Sequence, residues 1–385
     1  MKGSNAAIVG IGQTEFSKDS GRSELQLASE AIKAALDDAG LAVGDVDGMS
    51  TYTLDNSEDT ELVRTLGIPL LRFSSRVGHG GGGSMGPLVH AMAAVDSGLA
   101  NVVVGWRAMN ERSEYRFGAS QMNTAPAPGS GSGFIEWSLP FGAATPAAWF
   151  SVQVQRYMHQ YGVTNRDFAD VCVQLRKYAA TNPNAFYYQK PITVDDHQNS
   201  RWIVEPTFRL LDCTQESDGA VAFVVTSRER ARDLRQKPAR ILHASQSIVR
   251  DNETVTNYYH DDLTRFETGI QLASELYGRT GMRPDDIQVA MLYEAFSVQI
   301  YWHLEAAGFC KHGEGAQFVK DGHIDIDGTI PVNTNGGHLG EAYIHGMNNL
   351  TEAVRQIRGN ASNQVSGVEN VYIASGMSGA ILSAD

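Results

Sequence analysis

Apolar residues follow two rhythms along this chain. Leu25, Ala28, Ile32, Ala35, Leu36 and Ala39 recur at helical spacing, which predicts a helix over Ser23–Ala39 ended by Gly40. Met347, Leu350, Val354 and Ile357 repeat the pattern after a glycine turn and predict a second helix. The small apolar run Met85–Asp96 reads as a buried helix stopped by Gly98, and further helices are expected near Ala147–Gln160 and Asn165–Ala180. Between them lie short apolar runs, Ala6–Gly10, Val46–Leu54, Asn101–Val104 and Ala220–Thr226, which read as strands. Strands alternating with helices predict an α/β fold.

From about residue 110 to 144 the character changes. The stretch TAPAPGSGSG at 124–133 reads as a loop excursion, and long loops in compact proteins tend to be functional. The expected division is an N-terminal half at 1–109, a loop and insertion region at 110–240 that completes this half and covers a site, and a C-terminal half at 241–385. The last third repeats the first. Gln26-Leu27-Ala28-Ser29-Glu30 recurs as Gln271-Leu272-Ala273-Ser274-Glu275, each in a helix ended by glycine. Gly98-x-x-Asn101-Val102 recurs as Gly367-x-x-Asn370-Val371. Two matches in one order suggest a duplicated α/β unit, with a glycine-rich helix start from each half facing a shared site.

Composition narrows the function. The 385 residues carry a formal charge of −13 and no Lys/Arg run, which argues against nucleic acid as a partner. Three cysteines without metal-type spacing argue against a disulfide framework and structural zinc. The N-terminus runs directly into an apolar strand, no segment reaches membrane-spanning length, and a soluble cytoplasmic protein is expected.

The chemistry concentrates in Val332–Leu350, VNTNGGHLGEAYIHGMNNL, which reads as a strand end, a glycine turn, a short loop and a helix. Tyr343 sits there with His338, Glu341 and His345 around it. A solvated turn would also accommodate these groups. Four stretches then resemble the thiolase superfamily, closest to its lipid-transfer or sterol-carrier-protein type: GIGQTEF at 10–16, AAVDSGLANVVVG at 93–105, ITVDDHQNSRWIVEPTFRLLDCTQESDGAVAFVV at 192–225 and NTNGGHLGEAYIHG at 333–346. The last resembles N-x-x-G-G-x-x-x-x-G-H-P-x-G. The resemblance spans nearly the whole chain. It implies a duplicated thiolase fold, with a layered α/β/α core and an inserted loop domain.

The departures from that pattern carry more information. The place of the thiolase nucleophile falls within Gly80–Gly83, where there is no cysteine. The thiolase histidine falls on Tyr343, the first residue of the N-E-A-F loop on Tyr293, and the C-terminal cysteine on Tyr372. Condensation through an acyl-cysteine is therefore excluded at these positions. Two facing catalytic positions occupied by phenols resemble the steroid side-chain-cleaving aldolases of actinobacteria and related bile-acid degraders.

That resemblance implies Tyr293 and Tyr343 as an acid/base pair for retro-aldol cleavage of a β-hydroxy steroid acyl-CoA to a 17-ketosteroid and propanoyl-CoA. Holding a phenolate at neutral pH costs about 4 kcal/mol unless the site lowers the phenol pKa, and a second phenol, a histidine or backbone N–H groups could do so. Gly81, Gly82 and Gly376 are the oxyanion candidates, with His338 and His345 as further substrate-binding candidates that either tune Tyr343 or make structural hydrogen bonds. No metal and no dissociable cofactor is implied, because CoA belongs to the substrate. The implied partners are a second copy of the chain and a small acyl-CoA-associated OB-fold protein, together a heterotetramer.

Rival chemistries fit less well. His79-Gly80-Gly81-Gly82 looks like a lipase oxyanion loop, but Gly376-Met377-Ser378-Gly379-Ala380 has no histidine after it. The glycine run lacks a P-loop ending. His338, Glu341 and His345 lack the H-E-x-x-H spacing. An acyltransferase would need Cys172, Cys213 or Cys310, all outside the motifs. A non-catalytic acyl-CoA- or lipid-binding scaffold is the alternative from another class.

Overall fold

A computed structural model describes residues 3–78, 81–114, 116, 118, 138–252, 256 and 258–384. The 124–133 loop expectation and His79-Gly80 of the glycine run lie outside the described residues.

The strands are β1 (Ala6–Gln13), β2 (Gly48–Tyr52), β3 (Phe73–Val77), β4 (Val102–Asn110), β5 (Trp202–Val204), β6 (Phe208–Arg209), β7 (Asp218–Ser227), β8 (Ala239–Gln246), β9 (Val289–Leu292), β10 (Asn370–Ala374) and β11 (Ser378–Ala384). The longer helices used below are α1 (Glu24–Ala39), α2 (Gly86–Ser97), α3 (Pro146–Tyr161), α4 (Asn165–Thr181), α5 (Glu267–Thr280), α6 (Gln299–Ala306) and α7 (Met347–Arg358). Helix α1 begins at Ser23, whose hydroxyl accepts the Gln26 N–H, and ends at Gly40 with φ 74°, a backbone conformation that favours glycine. The expected strand at Asn101–Val104 continues to Asn110, because β7 pairs with it along its whole length.

Nine strands form one sheet in the order β3-β2-β4-β7-β1-β8-β11-β10-β9. β1 lies antiparallel to β7 and β7 to β4, while β4 runs parallel to β2. The C-terminal strands repeat this arrangement. β8 is antiparallel to β11, β11 to β10, and β10 is parallel to β9. The two sets meet where β1 and β8 pair antiparallel, Ala7 opposite Arg240. The sheet is therefore pseudo-symmetric about the β1–β8 seam, and α1 corresponds to α5 and α2 to α7.

Strand alternation divides the core. Ile8, Val103, Val221 and Phe223 face a cluster with Leu88 of α2 and Leu350 and Val354 of α7. Ala7, Val9, Val102, Val104 and Val224 face the opposite side, against Leu27 and Ile32 of α1. A third cluster joins Leu272 and Leu276 of α5 to Phe168 and Leu175 of α4 and to Tyr301 of α6. Helices thus cover both faces, and α2 and α7 share one of them. Among the described residues, no helix is long and apolar enough to cross a membrane.

Candidate active site

The turn before α2 and the turn between β10 and β11 come from opposite halves of the chain, and hydrogen bonds lock them together. Gly82 O accepts the Met377 N–H at 2.8 Å and the Ser375 hydroxyl at 3.1 Å. Met85 N–H donates to Ser378 Oγ at 2.9 Å. Beneath them Tyr52 donates to Ser84 O. Gly376 has φ 97°, which a side chain would strain, and an added Cβ there would meet Phe266 at 2.9 Å.

Tyr293 and Tyr343 meet at this junction. Their hydroxyls are 2.8 Å apart, and their side chains are buried apart from an edge at the cavity. Tyr293 follows β9, where its N–H donates to Ala374 O at 2.9 Å. Its ring occupies the space that a side chain at position 81 would need: a Cβ on Gly81 would lie 1.9 Å from Tyr293 Oη. Gly81 and Tyr293 are thus sterically coupled.

Buried carboxylates hold the surrounding loops. Glu294 accepts the backbone N–H groups of His338 and Leu339, the Asn333 amide at 2.8 Å and, at 2.7 Å, His338 Nδ1. Gly337 must be glycine beneath it, since an added Cβ would lie 2.0 Å from Glu294 Oε1 and φ is 60°. Glu341 gathers Asn335 at 2.5 Å, Asn348 at 2.9 Å and Asn182 at 3.2 Å. These two acids are structural clamps. On the far side of the cavity Asp212 accepts Asn165, the Arg209 N–H, Ser297 and His197 at 2.7–2.8 Å. Cys172, which donates to Leu211 O at 3.2 Å, lies beside His197 and Asp212, so this buried trio is a hydrogen-bonded network that ties the 192–213 stretch to Ser297.

The phenols open into a cavity of about 810 Å³. Gly81, Gly82, Gly376 and His345 line it with the two tyrosines. Trp149, Phe150, Phe296 and Trp302 make an aromatic wall, and Lys18, Arg112, Arg116 and Arg201 also border it. His338 is fully buried one layer behind, its ring centre 5.0 Å from that of Tyr293. His345 adopts φ 48°, and its Nδ1 accepts the Arg107 Nε–H at 3.2 Å, so its own proton sits on Nε2. Arg107 is buried and paired with Asp55 at 3.2 Å.

Burial pushes the Tyr293 phenol up, and the hydrogen bond from Tyr343 only partly offsets this. Burial pushes Tyr343 well above the ordinary tyrosine range, and the neighbouring Tyr293 adds to the rise. At Tyr293 lost hydration outweighs the phenol–phenol bond, and at Tyr343 that bond adds to the rise. Burial, with the Arg107 charge beside it, holds His345 well below its usual range. His303, also in the wall, falls to about 3 through burial and the proximity of His338. Cys213, within the 192–225 stretch, also lines the cavity. Burial and the Asp212 charge push its thiol up, the opposite of an activated nucleophile.

Sequence reasoning did not find Arg107, His303, Glu111 or the aromatic wall. The pair Trp149-Phe150, just inside a helix beginning at Pro146, was the available signal.

Residues 251–385 match the Thiolase C-terminal domain-like family. The chain is 51% identical over 384 residues to a steroid side-chain-cleaving aldolase of Thermomonospora curvata, covering 99% of this chain and 98% of the relative. It is 49% identical to the 17-hydroxy-3-oxo-4-pregnene-20-carboxyl-CoA lyase of Mycobacterium tuberculosis, covering 98% and 97%. The solved Ltp2-ChsH2(DUF35) aldolase superposes with a TM-score of 0.94 at 50% identity, over 100% of this chain and 98% of that one. Two phenols in contact beside a glycine turn, and half-identical relatives along the full length, lead to one conclusion: the chain belongs to the steroid side-chain-cleaving aldolases of the thiolase superfamily.

Proposed function

We propose that this chain catalyses retro-aldol cleavage of a β-hydroxy steroid side-chain acyl-CoA, of the 17-hydroxy-3-oxo-pregnene-carboxyl-CoA type, to a 17-ketosteroid and propanoyl-CoA. The observation that carries this reading is the 2.8 Å contact between Tyr293 and Tyr343 in a cavity whose nucleophile position is glycine. One phenol takes the proton of the β-hydroxyl as the C–C bond breaks, and the other returns a proton to the α-carbon of the thioester enolate. Backbone N–H groups at Gly81 or Gly82 and at Gly376 stabilise the enolate oxygen, a contribution of about 3–4 kcal/mol per donor in the transition state. The aromatic wall accepts the ring system, and the region 110–240 covers it. The scheme uses no metal and no dissociable cofactor, because CoA enters as part of the substrate.

The Mycobacterium tuberculosis relative supports the substrate class by its name, and the solved relative pairs Ltp2 with ChsH2(DUF35). We extend both to this chain: a small acyl-CoA-associated OB-fold protein completes the site, on a homodimer of this chain. Single-turnover cleavage tests the reading. The chain with its partner is mixed with a β-hydroxy steroid acyl-CoA, and products are followed by mass spectrometry for wild type, Tyr293→Phe and Tyr343→Phe. Ketosteroid and propanoyl-CoA are expected from wild type, with a loss of about 10²–10⁴-fold in each variant. Tight binding of intact substrate without cleavage would establish the scaffold alternative instead.

A further inference from the structure

Neither phenol of the pair is a ready base, because burial holds the proton on both oxygens. A neutral phenol can still accept a proton if it gives its own away in the same event, so the pair works as a relay that needs an acceptor at its far end. The two histidines in the wall are poor acceptors. Burial disfavours the cationic form of each, and His345 Nδ1 is already committed to Arg107. Two carboxylates border the cavity. Glu216 is engaged by Arg116 at 2.6 Å and by the Gly118 N–H at 2.9 Å.

Glu111 is the other. It follows the last residue of β4, is 3% exposed, and shares the cavity wall with both tyrosines. The turn after it is fixed: Asp218 Oδ1 accepts the N–H groups of Arg112 and Ser113, both at 3.0 Å. Its carboxyl group bears on both phenols, adding to their rise. A carboxylate beside a proton donor can serve as a general base.

We infer that Glu111 is the proton-holding carboxylate of the tyrosine pair, a role that rests on the retro-aldol reading above. The substrate O–H bond breaks and its proton goes to one phenol oxygen. That phenol passes its own proton along the pair, and the last proton of the chain goes to a Glu111 oxygen. The O–H electron pair becomes the second bond of the ketone, and the pair of the breaking C–C bond becomes the enolate. Transfer in reverse, from Glu111 through the phenols, protonates the α-carbon and restores every group. No proton is gained or lost. Glu111 acts through the tyrosines and is therefore a positioning and proton-storing residue.

The test uses the full chain with its partner protein. Glu111→Gln preserves size and removes the acceptor. The expected result is a fall in kcat of about 10²-fold or more with KM changed little. The acid limb of the kcat–pH profile, set by Glu111 among Arg107, Arg112, Glu216, Tyr293, Tyr343 and His345, is expected to disappear. Glu111→Asp should recover part of the rate, and Glu111→Ala should gain activity from added formate. A Glu111→Gln enzyme within threefold of wild type overturns the inference, as does a slow Glu111→Gln enzyme that keeps the acid limb while Glu111→Ala shows no formate rescue. Absence of cleavage by wild type would instead overturn the retro-aldol reading itself.

Discussion

Gly81→Ala is a one-carbon change that should disable the site. The added Cβ would lie 1.9 Å from Tyr293 Oη and 2.1 Å from its Cζ. Ordinary contact is about 3.5–4.0 Å, so the ring must retreat by roughly 1.5–2 Å. That retreat breaks the 2.8 Å bond to Tyr343. Overpacking costs about 1–3 kcal/mol, and leaving a buried hydroxyl without its partner costs about 1–3 kcal/mol more. Displacement of a catalytic group by about 1 Å is worth roughly 10²-fold in rate. The assay pairs single-turnover cleavage with urea unfolding, in wild type and in a Tyr293→Ala background. In the Tyr293→Ala background the ring is gone, so Gly81→Ala should be nearly neutral in stability, a strong non-additivity between the two positions. Full activity and an unchanged unfolding midpoint for Gly81→Ala alone would refute the packing argument. The same geometry makes Gly81→Cys a poor route back to acyl-cysteine chemistry, since its side chain would collide with the phenol first.

Other outcomes can be read as directly. The double variant Tyr293→Phe/Tyr343→Phe should lose little more activity than either single variant, because members of a proton relay act as a unit; multiplicative losses would argue for independent roles. Glu294→Gln should destabilise the fold by about 2–5 kcal/mol, measured by urea unfolding, because one carboxylate serves two backbone N–H groups, Asn333 and His338. A midpoint equal to wild type would show that the 337–340 turn needs no clamp. Glu352 is buried, and despite Arg355 nearby its carboxyl is raised from 4.5 to about 7. Between those pH values the folded chain keeps a proton that the unfolded chain has released. Stability should therefore fall by about 3 kcal/mol as pH rises from about 4.5 to 7, then level off, and Glu352→Gln should flatten the slope. An equal slope in that variant would assign the effect elsewhere.

The parts of this site legible in the sequence are those written locally. The helix ends at Gly40 and Gly98, the glycine turn at 336–337 and the buried strand 220–226 follow from periodicity and backbone preference, and the structure shows each. Tyr293 and Tyr343 were legible as a pair because each stands in a short motif at a position defined by its neighbours. The direction of the phenol pKa shifts was not, because it depends on burial, a property of the assembled interior. Arg107 reaches His345 across 238 residues of chain, and no local pattern links them. Glu111 lay at the boundary where the strand pattern gave way to an expected loop, whereas pairing with β7 keeps the chain extended through Asn110 and delivers the next side chain to the cavity. The strand β8, the strand β11 and the helix α6 were not predicted, since each is shaped by its neighbours in the assembled fold.

The β1–β8 seam has a consequence for how the molecule is made. Within this chain β1 is made well before its two sheet neighbours, β7, which ends at Ser227, and β8, which begins at Ala239. At about 5–20 residues per second, the central strand waits on the order of 10–45 s for its partners. During that time α1 and α2 are the elements already made that pack on it. Until those neighbours are made, the eight residues of β1 are an unpaired apolar strand, the segment a chaperone would have most reason to hold.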